Sequence, residues 1–215
     1  ELDLAASIPI EGQSRELAGI ADAPDIAFAD NAISDRPYRA NVAEHARLGF
    51  RRLYWRADGQ CCDFHTKVGT VGYADRCCHA VFTPIAIFFG LVLRKYNILA
   101  VAVEEAHRYG MEIYGYMRIN GFGGNVTPKF FIEHPELQDE REIGGSSQRM
   151  CFYLPEFRKW KIEIAREVVR HGVDGLLIDL TRSPPMIEYH PAVVRAYEGK
   201  HGCTPPRNLK RGYVS

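Results

Sequence analysis

The sequence predicts an α/β fold in which helices alternate with parallel strands, and three observations carry that reading. The first is a repeat punctuated by glycine. Glu44-His45-Ala46-Arg47-Leu48-Gly49-Phe50 is echoed by Glu105-Ala106-His107-Arg108-Tyr109-Gly110-Met111 and by Glu167-Val168-Val169-Arg170-His171-Gly172-Val173, at offsets of 61 and 62 residues. The second is the apolar run after each glycine: Phe50 to Trp55, Met111 to Ile119 and Val173 to Leu180. Helix-then-strand units in series imply a parallel sheet. The third is the last of these runs, Val173-Asp174-Gly175-Leu176-Leu177-Ile178-Asp179. Its apolar residues show little period-two alternation, as in a strand covered on both faces, before charge returns at Asp179 and Arg182.

In chain order, residues 1–23 are weakly patterned and read as a lead-in segment. Asp25 to Ala29 is a short apolar run, taken as the first strand. Pro37 suits the first turn of a helix, and Tyr38, Val42, Ala46 and Leu48 give it an approximate stripe that Gly49 closes. Ala80 to Leu93 is apolar for 14 residues but for Thr83, Pro84 and Gly90. That is short of the roughly 18 needed to span a bilayer, so a buried segment is expected. Pro155 and Glu156 open a helix whose Phe157, Trp160, Ile164 and Val168 share one face, with Lys159, Arg166 and Arg170 elsewhere. Pro191 to His201 forms a last helix closed by Gly202, and Cys203-Thr204-Pro205-Pro206 cannot be a central strand.

Four strands at most are therefore expected, where a closed barrel of this kind needs eight. The fold class is a partial (βα) barrel of TIM type, about four parallel βα units of eight, over residues 24–202, with a truncated tail at 203–215. Its open edges lead to an expectation of self-association. Its long loops, 57–93, 120–154 and 181–190, follow strands, on the side where barrels place function.

Composition narrows the partners. The chain has 27 basic and 27 acidic residues, which gives no electrostatic case for nucleic acid or for an anionic membrane surface. It opens on Glu1 without a basic-then-apolar leader, so a native start is not expected here and localisation is left open. Cys61-Cys62 and Cys77-Cys78 stand near His65 and His79, but the C-x-x-C spacing usual for zinc is absent. No metal ligand and no cofactor is assigned.

Counting from each glycine stop gives one consistent set of strand ends. The run after Gly49 ends at Arg56 and Asp58, the run after Gly110 at Tyr116, Arg118 and Asn120, and the run after Gly172 at Asp179 and Arg182. Parallel strands put these ends on one face. Planar hydrogen-bonding groups beside aromatic rings suit a polyol or sugar better than an apolar ligand. The Gly121-Phe122-Gly123-Gly124-Asn125 loop is read as a substrate loop, since no helix follows at once to make a phosphate cradle. The acidic stretch from Glu133 to Glu142 is read as a solvated short helix and loop.

These residues resemble the glycoside hydrolase-like TIM-barrel proteins of the family-10-like glycosyl hydrolase group. The matching pieces are Tyr54-Trp55-Arg56, the E-A-H-x-x-G-x-x-x-Y run from Glu105 to Tyr114, Phe131-Ile132-Glu133-His134-Pro135-Glu136, and Val173 to Asp179 with Arg182 and Pro184 after it. The resemblance implies that Asp179 is the nucleophile or transition-state stabiliser of glycosidic cleavage. Arg56, Asp58, Tyr116, Arg118, Asn120 and Arg182 would grip the carbohydrate substrate. A second carboxyl group is needed for such cleavage, and it is expected from later strands. The alternative is a catalytically silent carbohydrate-binding barrel. A metal-dependent isomerase or lyase fits less well, because the strand ends offer arginines where metal ligands would be wanted.

Overall fold

A computed structural model describes residues 16–27, 29–30, 32–59, 61–72, 84–119, 127–141, 144–180 and 187–206. Its elements are β1 (Leu17–Ala21), α1 (Ala23–Ile26), α2 (Arg36–Arg47), β2 (Phe50–Asp58), α3 (Pro84–Lys95), α4 (Ile98–Arg108), β3 (Glu112–Arg118) and α5 (Lys129–Glu133). After a single 3-10 turn at Pro135–Leu137 come β4 (Gln138–Glu140), β5 (Ser146–Met150), α6 (Pro155–Arg170), β6 (Gly175–Asp179) and α7 (Pro191–His201). The main sheet has the order β1-β2-β3-β6 with every pairing parallel. This is a partial α/β barrel, in the expected strand order. β4 and β5 make a separate antiparallel hairpin.

The repeat has a backbone cause. Gly49, Gly110 and Gly172 take φ of +86°, +67° and +86°, the left-handed conformation that ends a helix and that side chains with a Cβ resist. Each helix therefore stops at the same point before its strand, which sets α2 before β2, α4 before β3 and α6 before β6.

One strand lies elsewhere than expected. The run Asp25 to Ala29 is not the first strand: Pro24 and Asp25 sit in the first turn of α1. The strand is Leu17–Ala21, inside the segment read as a lead-in, and it pairs with β2 from Leu17 opposite Phe50 to Ala21 opposite Trp55. A proline at a helix start presets φ and needs no hydrogen-bond donor, so Pro24 decides for helix over strand. The acidic stretch also departs from a solvated loop. Asp139 of β4 is buried and accepts from the backbone N–H of Glu188 and of His190, tethering the start of α7. Residues 80–83 of the apolar run lie outside the described residues, and Phe89, Val92 and Leu93 of α3 are buried as expected.

The core lies between the sheet and its helices. Leu53 and Trp55 of β2 and Ile113 and Met117 of β3 point to it, meeting Tyr38, Val42, Phe89, Leu99, Phe157, Ile164 and Val168. The alternate residues, Arg52, Tyr54 and Arg56 and then Glu112, Tyr114, Tyr116 and Arg118, therefore line the inner face. There the Tyr54 and Tyr114 rings stack at 5.7 Å, and the Arg52 guanidinium lies 4.7 Å over Tyr114 while pairing with Glu112. No described helix is long and apolar enough to cross a membrane.

Gly175 stands opposite Tyr114 in the β3–β6 pairing, and a Cβ there would fall 1.9 Å from the tyrosine Cε1. Gly175→Ala is expected to push Tyr114 out of its stack with Tyr54 and to cost about 1–3 kcal/mol, as overpacking does. Urea denaturation of the two proteins measures it.

Candidate active site

The carboxyl ends of the four main strands meet in one continuous polar network. Asp22 follows β1 directly, and although it precedes α1 its side chain makes no capping hydrogen bond. Its Oδ2 instead accepts from Arg56 Nη1 at 3.2 Å and from Arg118 Nη2 at 2.9 Å. Arg56 also donates through Nε to Asp63 Oδ2 at 2.6 Å. On β3, Arg118 Nε lies 3.3 Å from the Tyr116 hydroxyl, with the guanidinium 5.6 Å over the ring. The Tyr116 hydroxyl in turn donates to Asp179 Oδ2 at 2.6 Å. The order Asp63–Arg56–Asp22–Arg118–Tyr116–Asp179 spans the sheet from its first strand to its last.

Four residues expected at the site are thus brought together: Arg56, Tyr116, Arg118 and Asp179. Asn120 and Arg182 lie outside the described residues, as does the Gly121–Asn125 loop. Asp58 goes elsewhere, which corrects its expected place. The β2–β3 register shifts between Arg56 and Asp58, where the Ala57 carbonyl accepts from the Asp63 backbone N–H. This bulge turns Asp58 off the inner face. It is fully buried and takes a 2.5 Å hydrogen bond from Lys161 Nζ of α6, which also points at the Arg118 carbonyl oxygen.

Two members of the network were not read from the sequence, Asp22 and Asp63. Asp22 ends a strand that no glycine stop announces. Asp63 lies beyond a strand end and is placed by the turn that follows it. Its burial pushes the carboxyl up to about 6, with Arg56 opposing and Asp22 and Asp58 adding to the rise. Burial likewise raises Asp58, against the pull of Lys161.

The arrangement favours an uncharged polar ligand. Two guanidinium groups face three carboxylates, so an anion would have to compete with Asp22 for both arginines. A polyol can donate to the carboxylates and accept from the guanidinium edges without displacing either. Cys62 is buried and its thiol is pushed well above the usual range, chiefly by that burial. His65 is engaged with the Leu93 carbonyl. Among the described residues no group of three or more His, Cys, Asp or Glu is placed to hold a metal ion. Cys77, Cys78 and His79 lie outside them.

Two measurements follow from the buried charges. Lys161→Met leaves the Asp58 carboxylate without its ammonium partner and should cost about 3–5 kcal/mol in urea denaturation. The Asp58→Asn/Lys161→Met pair should recover much of that loss. The raised Asp63 holds its proton more tightly folded than unfolded. Its contribution to stability is therefore complete below its ordinary value of 3.8 and is lost as pH rises through about 6. The stability difference between wild type and Asp63→Asn should accordingly shift against the wild type between about pH 4 and about pH 7.

No family model matches the sequence, and no curated protein matches it. Likeness appears in solved structures. An α-L-fucosidase, isoenzyme 2 from Paenibacillus thiaminolyticus, superposes with a TM-score of 0.56 at 14% identity, over 87% of this chain and 26% of that one. A hypothetical protein from Ruminiclostridium thermocellum ATCC 27405 superposes with a TM-score of 0.50 at 20% identity, over 77% of each chain. A noncanonic maltogenic alpha-amylase, AmyB from Thermotoga neapolitana, gives 0.48 at 16% identity, over 79% of this chain and 40% of that one. The chain spans about a quarter of the fucosidase's length. At these identities the likeness is one of fold, and that fold is the partial α/β barrel whose strand ends carry the network.

Proposed function

We propose that the chain carries the substrate-facing half of a glycoside hydrolase, with Asp179 as nucleophile or charge stabiliser at the anomeric carbon. The observation that carries the reading is the 2.6 Å hydrogen bond from the Tyr116 hydroxyl to Asp179 Oδ2 at the carboxyl end of β6. Tyr116 is buried and fixed by its strand, so it holds the carboxylate in one orientation. A carboxylate so held stabilises positive charge best in the transition state, where the charge develops. Arg118 and Arg56, steadied by Asp22, are the donors to sugar hydroxyls. The family-10-like resemblance and the fold shared with the fucosidase support the class of reaction. They do not choose the sugar.

A second reading has its own observation. Three strand-end carboxylates are held by cations: Asp22 by Arg56 and Arg118, Asp63 by Arg56, and Asp58 by Lys161. Cleavage with one carboxyl group lacks its acid/base partner. A barrel that grips sugars without cutting them fits that arrangement.

A panel of aryl glycosides and oligosaccharides separates the two. Asp179→Asn keeps the shape and the bond from Tyr116 but removes the charge. Turnover of whichever glycoside is cleaved should fall by roughly a hundred- to a thousandfold or more, with little change in affinity. Arg118→Ala should instead weaken binding. Undiminished hydrolysis by Asp179→Asn would make that residue a partner of its neighbours only. Binding without any hydrolysis, in the wild type, favours the silent barrel.

A further inference from the structure

Arg118 and Asp179 are partners in the β3–β6 pairing. Opposite charges at paired positions on neighbouring strands attract, so the register by itself favours a direct ion pair between them. The guanidinium goes elsewhere. Arg118 Nη2 reaches past β2 to Asp22 Oδ2 at the end of β1, two strands away, at 2.9 Å. Its Nε lies 3.3 Å from the Tyr116 hydroxyl, and that neutral hydroxyl donates to Asp179 Oδ2 at 2.6 Å. One hydroxyl oxygen thus stands between the guanidinium and the Asp179 carboxylate.

Asp22 is diverted from a local task to hold that cation. It occupies the N-cap of α1, where an aspartate commonly accepts from the helix's own N–H groups, and it makes no such bond. Its Oδ2 takes Arg56 and Arg118 together. The side chains of Asp22 and Arg118 are both mostly withdrawn from water, so salt screens their pair less than an exposed one. Asp58 also feels the Arg118 charge, but it is fully buried and held by Lys161 at 2.5 Å. Arg56 has Asp63 as a second anchor. Without Asp22, Arg118 has Asp179 on the strand beside it.

We propose that Asp22 is a positioning residue for Asp179: it draws Arg118 across the sheet and so keeps that cation from neutralising the carboxylate, with Tyr116 left to orient it. An arginine in direct contact would hold Asp179 as firmly before the reaction as during it. The carboxylate would then gain less from positive charge that develops only in the transition state. A hydroxyl orients the same oxygen without cancelling its charge. Asp22 therefore acts on Asp179 through Arg118, from the opposite side of the sheet. What Asp22 does to Arg118 is independent of the glycosidase reading, whereas its value for catalysis rests on that reading.

Carbon-13 NMR of protein labelled at its aspartate carboxyls tests the charge, with the Asp179 signal assigned by its loss in Asp179→Asn. In Asp22→Asn, Arg118 should fall onto Asp179, whose titration should move to lower pH by about one unit or more, as an opposite charge within about 4–6 Å brings about. Asp22→Asn/Arg118→Ala should return it toward the wild-type midpoint, a reversal that general damage to the fold would not produce. Asp22→Ser is the second variant, since serine also caps a helix. No movement, a movement to higher pH, or a fall that persists without Arg118 overturns the proposal. So does unfolding of both Asp22 variants, which would make the aspartate a residue of the fold alone. On a glycoside that the wild type cleaves, kcat should fall at least about tenfold in Asp22→Asn. It should recover in the double variant, whose KM stays raised as in Arg118→Ala. An unchanged kcat beside a shifted titration overturns the catalytic role of Asp22. A wild type that cleaves no glycoside counts against the glycosidase reading, and the titration then decides on Asp22 by itself.

Discussion

The strand-end network depends on one oxygen atom receiving two guanidinium groups. Arg56 and Arg118 stand on neighbouring strands, about 4.8 Å apart in the hydrogen-bonding direction, and would repel each other across it. Asp22 Oδ2 accepts from both and turns that repulsion into a shared bond. Arg118, so held, reaches the Tyr116 hydroxyl, which is left with its own proton to give to Asp179. The orientation of a carboxylate on the fourth strand is in this way set from the first. Loss of Asp22 would be felt at Asp179 without any direct contact between them.

A second set of buried charges fixes the frame that the network stands on, and nearly all of it belongs to α6. Lys161 reaches through the core to Asp58 and to the Arg118 carbonyl, so it fixes where β2 bulges and where β3 ends. Glu167 accepts from the Thr66 hydroxyl and from the backbone N–H of Lys67, which pins the loop after β2 against the same helix. Trp160 Nε1, about two turns earlier on α6, donates to the Val68 carbonyl. Buried ion pairs of this sort add little net stability over a well-packed apolar substitute. What they add here is position: the loop carrying Asp63 is held against α6, and Asp63 in turn holds Arg56.

Much of the frame was legible because a backbone device repeated. Three left-handed glycines at near-equal spacing announced α2–β2, α4–β3 and α6–β6, and the strand ends could be counted from them. β1 was not legible. No glycine stop precedes it among the residues that show the repeat, and Leu-Ala-Gly-Ile-Ala carries one β-branched residue, while the competing run after it, Asp25 to Ala29, directly follows Pro24. At the site, Arg56, Tyr116, Arg118 and Asp179 followed from strand alternation, each on the inner face at its strand's end. Asp58 did not, because a bulge at Ala57 breaks the alternation, and no local sequence feature marks a bulge there. Lys161 and Glu167 were legible in principle. They stand four residues after Phe157 and seven after Trp160, on the apolar face, and a charge at such a position implies a buried partner. Asp22 and Asp63 owe their place to pairing across the fold, which spacing along the chain does not encode.

The charge pattern of the rim bears on what it could grip. Phosphate sites concentrate donors and cations with nothing to neutralise them, as at a helix N-terminus. Here each described arginine of the network already leans on a carboxylate, and Asp63 can shed its charge as pH falls through about 6. An incoming anion gains the arginines only by stranding Asp22, whose other oxygen is buried without a partner among the described residues. A neutral hydroxyl avoids that conflict. It can donate to one carboxylate oxygen and accept from a neighbouring guanidinium, and both partners keep the bonds that orient them. The same pairing that makes the network rigid therefore sets it against charged ligands, and rigidity is what a hydroxyl-dense ligand requires, since each of its donors must find a fixed acceptor.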